Sequence, residues 1–271
     1  MGVINNIAML VNFLVKSWQL KATSKDFLEL SDIDIKNGKM YILGTGGSAG
    51  LLSSKQFENI RSGFSVGVNF WTIHNFIPDA YALEPPEHPS SFKILLSSLV
   101  KNIDNTSPLI MLYSGKCPSF QALKNVKNYT YIRPIANEIN NYHEMGRYIK
   151  FLKNLNHPGM LSIGYGSTIE RVLSMGIIKG FDEIIFVGVD LNNSKYFWDV
   201  DKRYYKHASK IVTEDSKKRS HLTLVDKSRT CGLIESISTM SEIASKNFNI
   251  KISVENPKSE LAKVLTVYRW P

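Results

Sequence analysis

Apolar residues in this chain gather in short runs closed by glycine, proline or a polar side chain. The runs are Met40–Leu43, Phe64–Asn69, Ile77–Glu84, Leu109–Tyr113, Glu183–Val189 and Ile250–Val254, with a weaker one at Tyr129–Arg133. Each has the length of a strand buried on both faces. Between them Ser48–Ile60, Phe92–Ile103, Gly166–Ile178 and Leu233–Lys246 read as helices. The third is introduced by Gly164-Tyr-Gly-Ser-Thr168, where Ser167 or Thr168 caps the first turn. Strands alternating with helices predict an α/β fold, a doubly wound, mainly parallel, Rossmann-like sheet. Ser31–Gly38 reads as a loop, and there is no internal repeat.

The pattern divides the chain into an N-terminal helix over residues 1–30 and one nucleotide-binding domain over 31–271. Segments near 134–158 and 195–220 are mixed, aromatic and polar, and are expected to form a small lid. In the first segment Val3, Ile4, Ile7, Leu10, Val11, Leu14, Val15 and Trp18 fall near helical spacing. Lys16 and Asn12 interrupt them, so the helix is too short and polar to span a bilayer. It is expected to pack on the body or to rest on a membrane interface.

Composition narrows the functional classes. A chain of 271 residues with 43% hydrophobic content suits one large α/β domain without staples. Cys117 and Cys231 lie far apart without metal or redox spacing, which predicts free thiols and a cytoplasmic location, peripheral at the inner membrane if the N-terminal helix touches it. The net charge of +9 is spread along the chain, densest at Lys217-Lys218-Arg219 with Lys202-Arg203, Lys206 and Lys210 upstream. No zinc-finger spacing or nucleic-acid-binding motif accompanies it, so nucleic acid is not the expected partner. An anionic glycolipid or membrane surface is.

The candidate chemistry starts at Tyr41-Ile-Leu-Gly-Thr-Gly-Gly-Ser-Ala-Gly50, a buried run ending in a glycine turn. Such a turn lets main-chain N–H groups approach a phosphate at a helix N-terminus. The next run ends on Asn69, where a nicotinamide site would want a carboxylate, which disfavours a dehydrogenase. The pairs Asp32-Ile-Asp34 and Asp199-Val-Asp201 read as loop carboxylates, and no metal is expected.

Taken in order, these motifs resemble the bacterial lipooligosaccharide sialyltransferases that use CMP-activated sialic acid. The resemblance runs through Gly44-Thr-Gly-Gly-Ser48, Val68-Asn69-Phe70, Gly166-Ser-Thr-Ile169, Gly180-Phe-Asp-Glu-Ile-Ile-Phe-Val-Gly-Val-Asp-Leu191 and Tyr196-Phe-Trp-Asp199. It continues through Arg219-Ser-His221, Asn249-Ile-Lys-Ile-Ser253 and Pro257-Lys-Ser-Glu-Leu-Ala262. A pterin diphosphokinase-like group shares the glycine turn and the pattern Val68, Asn69, Pro78, Asp79, Tyr81.

The resemblance implies a GT-A-like sialyltransferase variant of the fold. It also implies an inverting transfer of a sialic-acid-like or Kdo-type sugar from a CMP donor to a glycan or glycolipid acceptor. No cofactor beyond the donor is implied, and a homo-oligomer is. Gly44, Thr45, Gly46, Gly47, Ser48, Asn69, Gly166, Ser167, Asp190 and Asn192 become the donor-binding candidates. Tyr196 would steady the departing phosphate, with Asn192 standing where the family has a second tyrosine. The family's arginine before the helix turn is absent, Gly164 lying at about that position. Its catalytic histidine falls where this chain has Leu224, Val225 and Asp226, which leaves His221 as the candidate base and Asp226 as the next. Two other readings stay open: an ATP- and magnesium-dependent pterin diphosphokinase, and a non-catalytic binding module in polysaccharide assembly. His74 either lines the same cleft or is a core residue.

Overall fold

The computed structural model describes residues 35–84, 86, 88–103, 109–112, 130–132, 135–137, 145–147, 149–150, 153, 161–163, 167–192, 195–208, 211 and 232–271. The helix expected over 1–30, Gly166, His221, Asp226, both cysteines and much of the two expected lid segments lie outside these residues.

The strands are β1 (Lys39–Leu43), β2 (Phe64–Val68), β3 (Ala80–Leu83), β4 (Leu109–Leu112), β5 (Thr130–Ile132), β6 (Ile135–Asn137), β7 (Leu161–Ile163), β8 (Glu183–Val187), β9 (Lys251–Val254) and β10 (Thr266–Val267). The helices are α1 (Ser54–Arg61), α2 (Pro89–Ile103), α3 (Thr168–Lys179), α4 (Phe197–Val200), α5 (Lys202–Ala208) and α6 (Leu233–Phe248). Eight strands form one sheet in the order β10-β9-β8-β1-β2-β3-β4-β5, each neighbouring pair parallel. β6 and β7 pair parallel in a second, two-stranded sheet.

Alternation along the strands feeds two cores. Met40, Ile42, Val66, Ala80, Ile184, Phe186 and Val254 face the side covered by α3 and α6, where Val172, Leu173, Met175, Ile237 and Met240 complete the packing. Tyr41, Leu43, Tyr81, Leu83, Ile185 and Val187 face the other side, packed with Ile60 of α1, Leu95 and Leu99 of α2, and Phe197, Trp198 and Tyr204. A sheet whose strands are apolar on both faces is what helices on both faces require. The fold is a doubly wound Rossmann-like α/β domain. From β1 the chain winds outward to β5, then returns to place β8 on the other side of β1. The order reverses there, and in open sheets of this kind ligands bind at such a switch, beyond the carboxyl ends of the strands.

Ser48–Ile60 is not one helix: Gly47–Leu51 forms a single 3-10 turn and Leu52 is extended. Ser53 then starts α1 afresh, its hydroxyl accepting from the Gln56 N–H while the Gln56 side chain accepts from the Ser53 N–H at 2.8 Å. The capping box is the stop-and-restart signal that helical spacing alone concealed.

Candidate functional site at the topological switch

The loops that leave β1 and β8 are bonded to each other along the switch. The Gly44 N–H donates to the Val187 carbonyl at 2.8 Å and the Gly46 N–H to the Gly188 carbonyl at 2.7 Å. Gly188 has φ +67, and a Cβ there would stand 2.5 Å from the Gly44 carbonyl oxygen. A Cβ on Gly46 would stand 2.6 Å from Asp190 Oδ2. Glycine at both positions is thus demanded by the approach of the two loops.

Asp190, only 5% exposed, explains much of the turn. Its Oδ2 accepts from the Ser48 N–H at 2.8 Å, and its Oδ1 accepts from the Ser48 hydroxyl and the Asn256 amide, both at 2.6 Å. With Ala49 N–H donating to the Gly46 carbonyl, the amides of Gly44, Gly46, Ser48 and Ala49 are all bonded inside the protein. The anion at the start of this turn is the protein's own carboxylate. Asp190, expected from the resemblance to bind the donor, is here bonded to the glycine turn after β1.

Asn69 follows β2 in the left-handed region, φ +49, and its Oδ1 accepts from the Glu84 N–H at 2.9 Å. The Glu84 carboxylate accepts from the Thr168 hydroxyl at 2.7 Å and faces Arg171 at 3.6 Å. Ser167, the N-cap of α3, donates its N–H to Glu170 at 3.1 Å. Two expected site residues, Asn69 and Ser167, are thereby joined across the ends of β2 and β3. The link is Glu84, Thr168 and Arg171, of which Glu84 and Arg171 were not singled out from the sequence. Glu84 sits directly before Pro85-Pro86, and Arg171 falls at the start of a helix, where a positive charge opposes the dipole; a charge in each of those places was the available signal.

The segment opening at Tyr196 crosses the glycine turn. Gly46 and Tyr196 form an antiparallel bridge, and the Phe197 N–H donates to the Thr45 carbonyl at 3.0 Å. The Tyr196 ring lies parallel on Trp198 at 4.5 Å, and Trp198 meets Phe70, the neighbour of Asn69, edge-on at 6.2 Å. This run of rings carries the rim from the glycine turn to the end of β2. Asp199 and Asp201 serve the local backbone: Asp199 accepts from the Tyr196 N–H at 2.8 Å, and Asp201 is held by the Arg203 guanidinium. Among the described residues no group of three or more histidine, cysteine, aspartate or glutamate side chains is placed to hold a metal.

His74 is a core residue, 5% exposed. Its ring stacks between Trp71 at 4.5 Å and Tyr204 at 4.9 Å, with Phe57 and Phe197 closing the cage. Nδ1 accepts from the Phe76 N–H at 2.9 Å, so in the neutral ring the proton is on Nε2. Burial, and then Arg203, bring its pKa down to about 4.

On the other side of β8, Asn192 donates its amide to the Lys258 carbonyl. Glu255, just past β9, has its pKa raised to about 7 by burial and by the nearby Asp190 carboxylate, against a hydrogen bond from the Gly188 backbone. Glu255 and Asn256 were not foreseen as parts of this rim.

No protein-family model matches the chain, and no curated protein matches it. Solved structures it is similar to include the monofunctional α-2,3-sialyltransferase Cst-I of Campylobacter jejuni, at 14% identity and a TM-score of 0.46, over 88% of this chain and 85% of that one. Another is the sialyltransferase CstII of the same organism in complex with cytidine-5'-monophosphate, at 16% identity and a TM-score of 0.45, over 85% of each chain. At such identities and scores the fold rests on the strand order described above. Among the described residues no helix is long and apolar enough to cross a membrane.

Proposed function

We propose that this chain is a sialyltransferase-like glycosyltransferase, moving a sialic-acid-like or Kdo-type sugar from a CMP donor to a surface-glycan acceptor. The observation that carries the reading is the convergence, at one topological switch, of the glycine turn, Asn69, the start of α3 and Tyr196. That is where a doubly wound sheet takes a nucleotide. The sugar and the cytidine come from the order of motifs along the chain.

In this reading the cytidine nucleotide lies against Asn69 and the start of α3, and the Tyr196 hydroxyl donates to the phosphate that leaves. A base, His221 with Asp226 as the next candidate, takes the proton of the acceptor hydroxyl as its oxygen attacks the anomeric carbon. The bond from that carbon to the phosphate oxygen breaks, CMP departs with the bonding electrons, and the configuration inverts. The donor is already activated, so the reaction proceeds without a metal. A peripheral membrane site and a homo-oligomer fit a glycolipid acceptor and the basic charge.

The test is turnover of a panel of CMP-activated sialic, legionaminic, pseudaminic and Kdo sugars with glycan acceptors, read as CMP release. The expected result is acceptor-dependent release that persists in EDTA and is lost in His221→Ala with CMP affinity retained. No release across the panel, with ATP- and magnesium-dependent transfer to a pterin instead, would replace this reading with the diphosphokinase one.

A further inference from the structure

Among the described residues, Arg171 is the one lysine or arginine that the fold buries. Its position opposes two physical preferences. It stands at the end of the first turn of α3, where the helix dipole favours negative groups. A buried guanidinium also requires a well-placed anion. One carboxylate that faces it is Glu84, at 3.6 Å, longer than a close guanidinium–carboxylate fork, and the Glu84 side chain is 40% exposed against 9% for Arg171. Glu170, the acidic residue of the same turn, directs Oε2 to the Ser167 N–H. Departures from local preference without an evident packing gain gather at functional places.

We infer that Arg171 is the recognition residue for an anionic group of the substrate, a carboxylate or a phosphate, and that Glu84 is the internal anion which that group replaces. Glu84 is built for the exchange. Its backbone N–H holds Asn69, so this contact stays when the carboxylate swings toward solvent. Its carboxylate also accepts the Thr168 hydroxyl, which the incoming anion takes over as a second donor beside Arg171. The inference deepens the proposed function and rests on the rim being the substrate site.

Isothermal titration with CMP, free N-acetylneuraminate and uncharged cytidine, on the wild type, Arg171→Met and Glu84→Gln, tests it. Arg171→Met is expected to weaken the charged ligand by about tenfold or more while leaving cytidine binding in place. Glu84→Gln keeps the Thr168 contact and the backbone but loses the competing charge, so it tightens the same ligand by about threefold. A response to CMP identifies the phosphate, and one to N-acetylneuraminate the carboxylate. If Arg171→Met fails to fold, Glu84→Gln alone decides by the sign of its effect.

A purely structural pair would weaken charged and uncharged ligands alike in both variants, and that result overturns the inference. Binding of CMP, cytidine and N-acetylneuraminate that all ignore both substitutions overturns it while leaving the proposed function standing. Binding of the acidic sugar alone, with the two opposite responses, keeps the anion site and removes the CMP reading. No binding of any probe removes both.

Discussion

His74 and Glu255 depart from their ordinary titration in opposite senses, and that difference reaches the stability of the whole fold. The cage around His74 keeps the ring neutral down to about pH 4, whereas the unfolded chain takes up the proton near 6.5. Its contribution is therefore complete above 6.5 and is lost as the pH falls toward 4, at about 1.4 kcal/mol per pH unit. Glu255 holds its proton up to about 7, against 4.5 in the unfolded chain, so its contribution is complete below 4.5 and is lost as the pH rises toward 7. Between 4.5 and 6.5 the two oppose, Glu255 more weakly because it is partly open to solvent. Denaturant midpoints of wild type and Glu255→Gln at pH 4.5, 5.5 and 6.5 separate them. The variant should lose stability more steeply on acidification than the wild type, and parallel profiles would contradict the assignment.

At the scale of elements, the turn after β1 and the loop after β8 act as one unit fastened by Asp190. Asp190→Ala strips partners from the Ser48 N–H, the Ser48 hydroxyl and the Asn256 amide, and is expected to lower stability by about 3 kcal/mol. Asp190→Asn retains an acceptor for the Ser48 N–H and should fall between. Equal stabilities in chemical denaturation would show that the unit is held otherwise. The unbroken apolar runs Met40–Leu43 and Ile184–Val187 made the central strands legible in the sequence, because a strand buried on both faces has no polar position to disguise it. The contact between Ser48 and Asp190, 142 positions apart, was not legible, since the glycine turn reads the same whether its amides meet a phosphate or a carboxylate. The break at Leu52 was missed because apolar spacing ran across it, and β10 because two exposed residues, Thr266 and Val267, leave no pattern. Glu84 and Arg171 escaped for the same reason as the contact between Ser48 and Asp190: each gains its meaning from a partner remote in sequence.

For the whole molecule, the strand order puts the reversal between β1 and β8, and every described candidate residue lies just past a strand end, at the start of α3, or on the Tyr196 segment beside that switch. The network from Asn69 through Glu84 ties the ends of β2 and β3 to the start of α3, and the Tyr196–Trp198–Phe70 rings run from the glycine turn to the end of β2. The most direct measurement of the central claim is calorimetric titration of CMP in EDTA, on the wild type and on Asn69→Ala. Binding at one site, weakened by about tenfold in the variant, is the predicted result. No binding of CMP, or equal affinity in the two proteins, would contradict a cytidine nucleotide site at the switch.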